Sequence, residues 1–353
     1  TTMNKFTFDK RVTAVLKGIA ILLMFEHHLI GFPEWLTQSK MFISIPFDRA
    51  TTAYYFGKFG NICVAMFMFI TGYGLCFSFK KGSVFKNSIK KTAIFLAEFW
   101  IMLFTFFLPI EYLFGTPNFT PAKILEEMFG LSVTLVSFAW YVRFYILAML
   151  TLPLMRKILD NSVGGTILLI VLYSAACVAT RMVSAKIDFG MTYVVTEEYF
   201  RYMPIVMLGY MTANYKLFER ADEKFARIKL ANTPFAVLLC AAVILLRVKV
   251  FGKTYLYLPS ADIFLCPIFM YALIKIINKI KCTHLLNFLS VIGANSMNLW
   301  FLQAVFYGNT AAKLQWIAYI PKFSVLVVIW SVLCLLPISM LYNLIFKKLF
   351  NNG

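Results

Sequence analysis

The chain has 353 residues, 61% of them hydrophobic and 14% charged, with a formal net charge of +18 and a mean hydropathy of +0.76. Soluble domains lie nearer roughly 45–50% apolar and about 25% charged. One large soluble domain would leave many apolar stretches of about 20 residues unexplained, so the chain reads as an all-α polytopic membrane bundle. Nucleic acid is excluded as a partner. The basic residues sit in short loops where they set topology and meet anionic lipid headgroups, and no zinc pattern or long basic tail accompanies them.

Ten spans are predicted, at 12–32, 59–79, 92–114, 138–155, 163–180, 202–216, 231–247, 261–277, 293–307 and 323–345. The first contains "KGIAILLMFEHH", with Lys17, Glu26, His27 and His28 in an otherwise apolar run. It is long enough to span and too polar for a cleavable signal core. Lys86, Lys90 and Lys91 follow the second span, and Glu98 lies two turns beyond Lys91 on the same face of the third. Residues 117–137 are apolar but hold Glu126 and Glu127, which suggests a re-entrant or interfacial helix. Trp140, Tyr141 and Arg143 open the fourth span. Arg143 there is expected to pair with Glu126, Glu127 or Glu111. Residues 284–295 form a predicted surface helix before the ninth span, which holds Asn295, Ser296 and Gln303.

With the N-terminus inside, 20 of the 34 Lys and Arg residues fall on the cytoplasmic side, which favours both termini there. The seven cysteines have no pairable spacing and read as small apolar residues. No internal repeat and no appended soluble domain is visible, so residues 1–353 form one expected membrane domain.

A charge inside a bilayer costs a few kcal/mol by the lower estimates, so the first span needs a reason for its polar residues. Positions 17 and 28 are eleven apart, about 1100° of helical rotation, which puts Lys17 and His28 on one face about 16 Å apart. Glu26 points nearly opposite to Lys17, and His27 falls between. Lys17 could snorkel to the inner headgroups, and a lone histidine could serve a helix contact. A Glu-His-His cluster also suits general base chemistry, with the carboxylate orienting an imidazole.

"LKGIAILLMFEHH" resembles the first-helix signature of the acyltransferase-3 family of integral membrane acyltransferases, L-R-G-I-A-I-L-L followed by a His. Further phrases match in order: "FMFITGYGL" (67–75), "WYVRFYILAMLTLPL" (140–154), "RYMPIVMLGYMTANY" (201–215) and "IGANSMNLWFLQ" (292–303). Three departures stand out. Lys17 replaces an Arg and loses its bidentate fork. "KNSIKK" (86–91) replaces an R-x-x-R pair, and Gln303 replaces a late His.

The resemblance implies transfer of an acyl group, most often acetyl from acetyl-CoA, to a hydroxyl of an envelope saccharide or lipid-linked sugar. It implies a plasma or inner membrane location, no permanently bound cofactor and no metal. His28 is then the expected base, with His27 its competitor and Glu26 a possible orienting acid. Lys17, Lys86, Lys90 and Lys91 are expected at the polyanionic donor. Asn295 and Ser296 would bind its pantetheine amides or stabilise a helix contact. Glu98, Trp140, Tyr141, Arg143 and Gln303 are expected around the acceptor cavity. Oligomeric state stays open, a homodimer included. Two rival readings are a glycolipid flippase or exporter and a noncatalytic membrane sensor.

Overall fold

The computed structural model describes residues 6–32, 52–115, 119–187, 190–230, 232–251, 258–306 and 311–350, and every regular element among them is helical. In chain order these are α1 (Lys10–Ile30), α2 (Thr52–Gly60), α3 (Ile62–Phe79), α4 (Val84–Met102), a π segment (Leu103–Phe107), α5 (Leu108–Phe114), α6 (Pro121–Met128), α7 (Trp140–Asn161), α8 (Val163–Ser184), α9 (Gly190–Tyr215), α10 (Leu217–Arg227), α11 (Thr233–Leu245), a second π segment (Leu246–Phe251), α12 (Leu258–Ile277), α13 (Thr283–Ala294), α14 (Ser296–Leu302), a 3₁₀ turn (Gln303–Phe306), α15 (Ala311–Ala318) and α16 (Ser324–Phe350). The protein is an all-α helical membrane bundle. Among the described residues five helices are long and apolar enough to cross a bilayer, or six if α13 and α14 count as one bent span.

Each predicted span falls on helix. Residues 117, 118, 231 and 307 of the predicted segments lie outside the described residues. The third span is longer than expected, because α4 continues through the π segment into α5, giving 31 helical residues from Val84 to Phe114. Pro109 lacks an N–H for the carbonyl four residues earlier, and a π segment is one way for a helix to absorb that loss. The sixth span begins at Gly190 rather than 202. Glu197 and Arg201 read as loop residues, but Glu197 closes on both Arg201 and Arg181. Among the described residues of 117–137 there is one short helix, α6, capped by the Thr120 hydroxyl on the Lys123 N–H. A non-helical stretch follows it. The predicted helix at 284–295 is α13, with Leu286, Leu289, Ile292 and Gly293 on its buried face.

The chain divides into two compact units that interleave along the sequence. The first comprises Thr1–Ala20, Ile62–Asn87 and Leu150–Ala294, the second Ile21–Asn61, Ser88–Met149 and Asn295–Gly353.

In the first unit α3 and α9 pack antiparallel at backbone distance. A Cβ on Gly72 would collide with the Val206 carbonyl, and one on Gly209 with the Phe69 carbonyl. Small residues at such crossings let van der Waals packing hold membrane helices together, where the hydrophobic effect offers little. Cations in this unit meet carboxylates. Arg181 and Arg201 both donate to Oε1 of buried Glu197. Arg247 binds Asp262 through two 2.9 Å hydrogen bonds, with both side chains buried. Lys275 meets Asp222 at 2.6 Å, and the Tyr271 hydroxyl donates to the same carboxylate at 2.8 Å. Ile167, Leu168, Val171, Leu172, Val178 and Met182 leave α8 with an exposed apolar stripe, as a lipid-facing helix requires.

In the second unit the C-terminal half of α1 packs on α2, and α14 packs on α16 through amides. Asn298 Nδ2 donates to the Ser339 carbonyl and to Asn343 Oδ1, at 3.1 and 3.0 Å. The Tyr319 hydroxyl donates to the Leu29 carbonyl at 2.6 Å, tying the chain after α15 to the end of α1.

Candidate active site

The two neighbouring histidines close α1 in different surroundings. Gly57 and Gly60 bring α2 against the last turns of α1, since a Cβ on Gly60 would run into the Leu23 carbonyl and one on Gly57 into the Gly31 backbone. That approach offers the Gly57 carbonyl to His27, whose Nδ1 donates to it at 2.9 Å. Asn61 Nδ2, in the break between α2 and α3, donates to His27 Nε2 at 3.0 Å. A carbonyl only accepts, so the proton sits on Nδ1 and the Nε2 lone pair faces an amide donor. His27 is buried with both ring nitrogens bonded.

His28 is half-buried and faces other elements. Its Nδ1 lies 3.1 Å from Gln303 Oε1, in the 3₁₀ turn after α14. Its ring stacks on Phe138, with centroids 4.2 Å apart and 19° between planes. Phe138 is delivered by the stretch after α6, which folds around the Glu127 carboxylate. Glu127 is fully buried, and its Oε1 accepts from the Ser132 hydroxyl, the Thr134 N–H and hydroxyl, and the Leu135 N–H, at 2.6–3.0 Å. Arg143, buried at the start of α7, donates to the Gly130 carbonyl of the same stretch.

Beside Gln303 stands an aromatic wall. Gln303 Nε2 donates to the Trp300 carbonyl at 3.1 Å. The Trp300 ring meets Tyr141 at 4.8 Å and Trp140 at 6.2 Å between centroids. On α4, Phe95 packs on Tyr145 at 4.5 Å and Phe99 on Phe301 at 4.8 Å. Glu98 is half-buried on that helix, near enough to the Tyr145 phenol to act on it electrostatically. It has no hydrogen bond or ion pair among the described residues.

Several sequence expectations thus come together in one unit: His27, His28, Gln303, Trp140, Tyr141, Arg143 and Glu98. Asn295 takes the helix-contact role, its Oδ1 accepting from Asn343 Nδ2 at 2.7 Å and the Ser339 hydroxyl at 3.1 Å. Ser296 is buried as the first residue of α14. Lys86, Lys90 and Lys91 are exposed on the first two turns of α4. Lys17 is half-buried on α1, in the part of that helix belonging to the first unit. The partners seen at Nδ1 are the Gln303 amide oxygen for His28 and the Gly57 carbonyl for His27. Glu26 is half-buried and makes no hydrogen bond or ion pair among the described residues. Gly57, Asn61, Phe138 and Trp300 escaped the sequence reading. Asn61 alone carried a signal, as a polar residue leading into an apolar run. Phe138 is one of 37 phenylalanines, and no pattern marks it out.

This is a multi-pass membrane protein in which two imidazoles stand among amides, a carbonyl and aromatic rings. The acyltransferase domain family matches residues 14–346, and the chain belongs to that family, acyltransferase-3. Comparison with curated proteins and with solved structures gives no match. It is a membrane acyltransferase.

Proposed function

We propose that the protein moves an acyl group, acetyl in the first instance, from cytoplasmic acyl-CoA to a hydroxyl of an envelope saccharide or lipid-linked sugar in the plasma or inner membrane. His28 is the general base. Its Nε2 takes the hydroxyl proton while the hydroxyl oxygen bonds to the thioester carbonyl carbon. The carbon–sulfur bond then breaks, and the imidazolium returns the proton to the CoA sulfur. Proton transfer by a positioned side chain is worth about 10²–10⁴-fold in rate.

One observation carries the choice of His28 over its neighbour. His27 has Nδ1 on the Gly57 carbonyl and Nε2 on Asn61, so accepting a proton would oppose two N–H groups. His28 instead presents Nδ1 to Gln303 and its flat face to Phe138. The wall of Trp140, Tyr141 and Trp300 suits a sugar ring, whose C–H faces stack on aromatics, and Glu98 suits its hydroxyls. Lys17, Lys86, Lys90 and Lys91 supply positive charge for the CoA phosphates. No bound cofactor is needed, and lipids surround the bundle.

The test is CoA release from acetyl-CoA by purified protein in lipid nanodiscs, with mass spectrometry of envelope glycans from cells with and without the gene. CoA release and one fixed acyl mass difference on one glycan are expected. Binding of a lipid-linked sugar with no thioester turnover would favour the exporter and contradict the proposal.

A further inference from the structure

We infer that Gln303 is a positioning residue that fixes the neutral tautomer of His28, with the proton on Nδ1 and the lone pair on Nε2. This rests on His28 being the base and adds how that base is set.

The argument runs through two hydrogen bonds. An amide side chain can present either end, and its orientation follows from its partners. Gln303 Nε2 lies 3.1 Å from the Trp300 carbonyl oxygen, which only accepts. The amide nitrogen must therefore point at Trp300, leaving Oε1 toward His28 at 3.1 Å. An oxygen there can only accept, so His28 Nδ1 carries the hydrogen. In a neutral imidazole the other nitrogen then holds the lone pair. Trp300 is itself buried and packed against Trp140 and Tyr141, so the carbonyl that orients the glutamine is held by the aromatic wall. Phe138 stacks on the ring and opposes tilting about the bond to Gln303.

An amide differs from a carboxylate in this position. It orients the ring without adding a negative charge that would stabilise the imidazolium. Among the described residues, the charged or titratable groups near His28 along the chain and on the neighbouring elements include Lys17, Glu26 and His27 on α1, Tyr54, Tyr55 and Lys58 on α2, Glu127 before the stretch that carries Phe138, and Tyr141, Arg143 and Tyr145 on α7. They are the same in every Gln303 variant, so a difference between variants reports position 303.

The experiment measures kcat and KM for CoA release against pH in wild type, Gln303→Leu and Gln303→Glu, with thermal melts of each. Gln303→Leu is expected to lower kcat about tenfold to a hundredfold, with KM little changed, because the tautomer is no longer held. Gln303→Glu keeps the acceptor and restores activity at high pH. Its acid limb moves to higher pH by about one unit or more, because a carboxylate beside the ring favours the protonated form. A merely structural glutamine would leave the limb in place in both variants. Gln303→Leu at wild-type kcat, or an unmoved limb in Gln303→Glu, overturns the inference. Should the variants not fold, ¹⁵N NMR of the wild-type His28 ring decides: a protonated Nδ1 and bare Nε2 in the neutral form support it, and the reverse overturns it. Wild-type protein that releases no CoA, or an active His28→Ala, would overturn the acyltransfer or base reading itself. The NMR arm would then still decide the tautomer.

Discussion

Among the described residues, the two units hold several of their ionisable side chains in different ways. In the first, Arg181 and Arg201 close on Glu197, Arg247 on Asp262, and Lys275 on Asp222. In the second, Glu127 is held by hydroxyls and backbone N–H groups, Arg143 donates to a backbone carbonyl, and the histidines face amides, a carbonyl and a phenyl ring. Matched opposite charges satisfy a low-dielectric interior but tie up the groups that make them. Neutral partners orient an ionisable group without fixing its charge. Chemistry that needs a proton to come and go belongs in the second setting.

That contrast can be broken by substitution. Arg247→Met leaves Asp262 buried without its cation and should destabilise by about 3–5 kcal/mol, as removing one partner of a buried pair does. Adding Asp262→Leu should recover most of the loss, since two apolar side chains leave no orphaned charge. Thermal melts in detergent read both, and kcat per folded molecule should stay at the wild-type value throughout. A double variant no better than Arg247→Met would show that the pair acts through something other than charge matching.

Packing gives the next largest effect. Gly72→Ala should cost about 1–3 kcal/mol, because the added methyl meets the Val206 backbone rather than a movable side chain. Gly74 has nothing within 4 Å of an added Cβ, so Gly74→Ala should melt with the wild type or slightly above it. Equal melting of the two would mean that the close crossing of α3 and α9 does not limit stability.

The smallest effect concerns His27. Asn61→Leu removes the donor to Nε2 and should cost about 1–2 kcal/mol through a buried acceptor left unsatisfied. If His27 is structural, kcat changes less than threefold. A large fall in kcat with an unchanged melt would move His27 into the chemistry.

Much of the architecture was legible because a bilayer leaves few options. A run of apolar residues must satisfy its own backbone hydrogen bonds as helix, so the ten predicted spans all fall on helices. Their ends were less legible where charge was involved. Arg181, Glu197 and Arg201 look like loop residues until both arginines are seen to share one carboxylate, and that sharing is a three-dimensional fact. At the site, helical periodicity set Lys17 and His28 on one face but could not say which imidazole is held fast. That depends on Gly57 of α2 and Asn61 just after it, contributed by a close approach that no periodicity records. Gln303 could be read as a hydrogen-bonding residue. Its bond to His28, across 275 positions, could not.

The most direct test is the initial rate of CoA release from acetyl-CoA, with acceptor present, by purified wild type, His27→Ala and His28→Ala, each normalised to folded protein. His28→Ala should lose about 10²–10⁴-fold while staying monodisperse, and His27→Ala should melt earlier yet turn over within a few-fold of wild type. Retained activity in His28→Ala, or the greater loss in a well-folded His27→Ala, would contradict the assignment of His28 as the base.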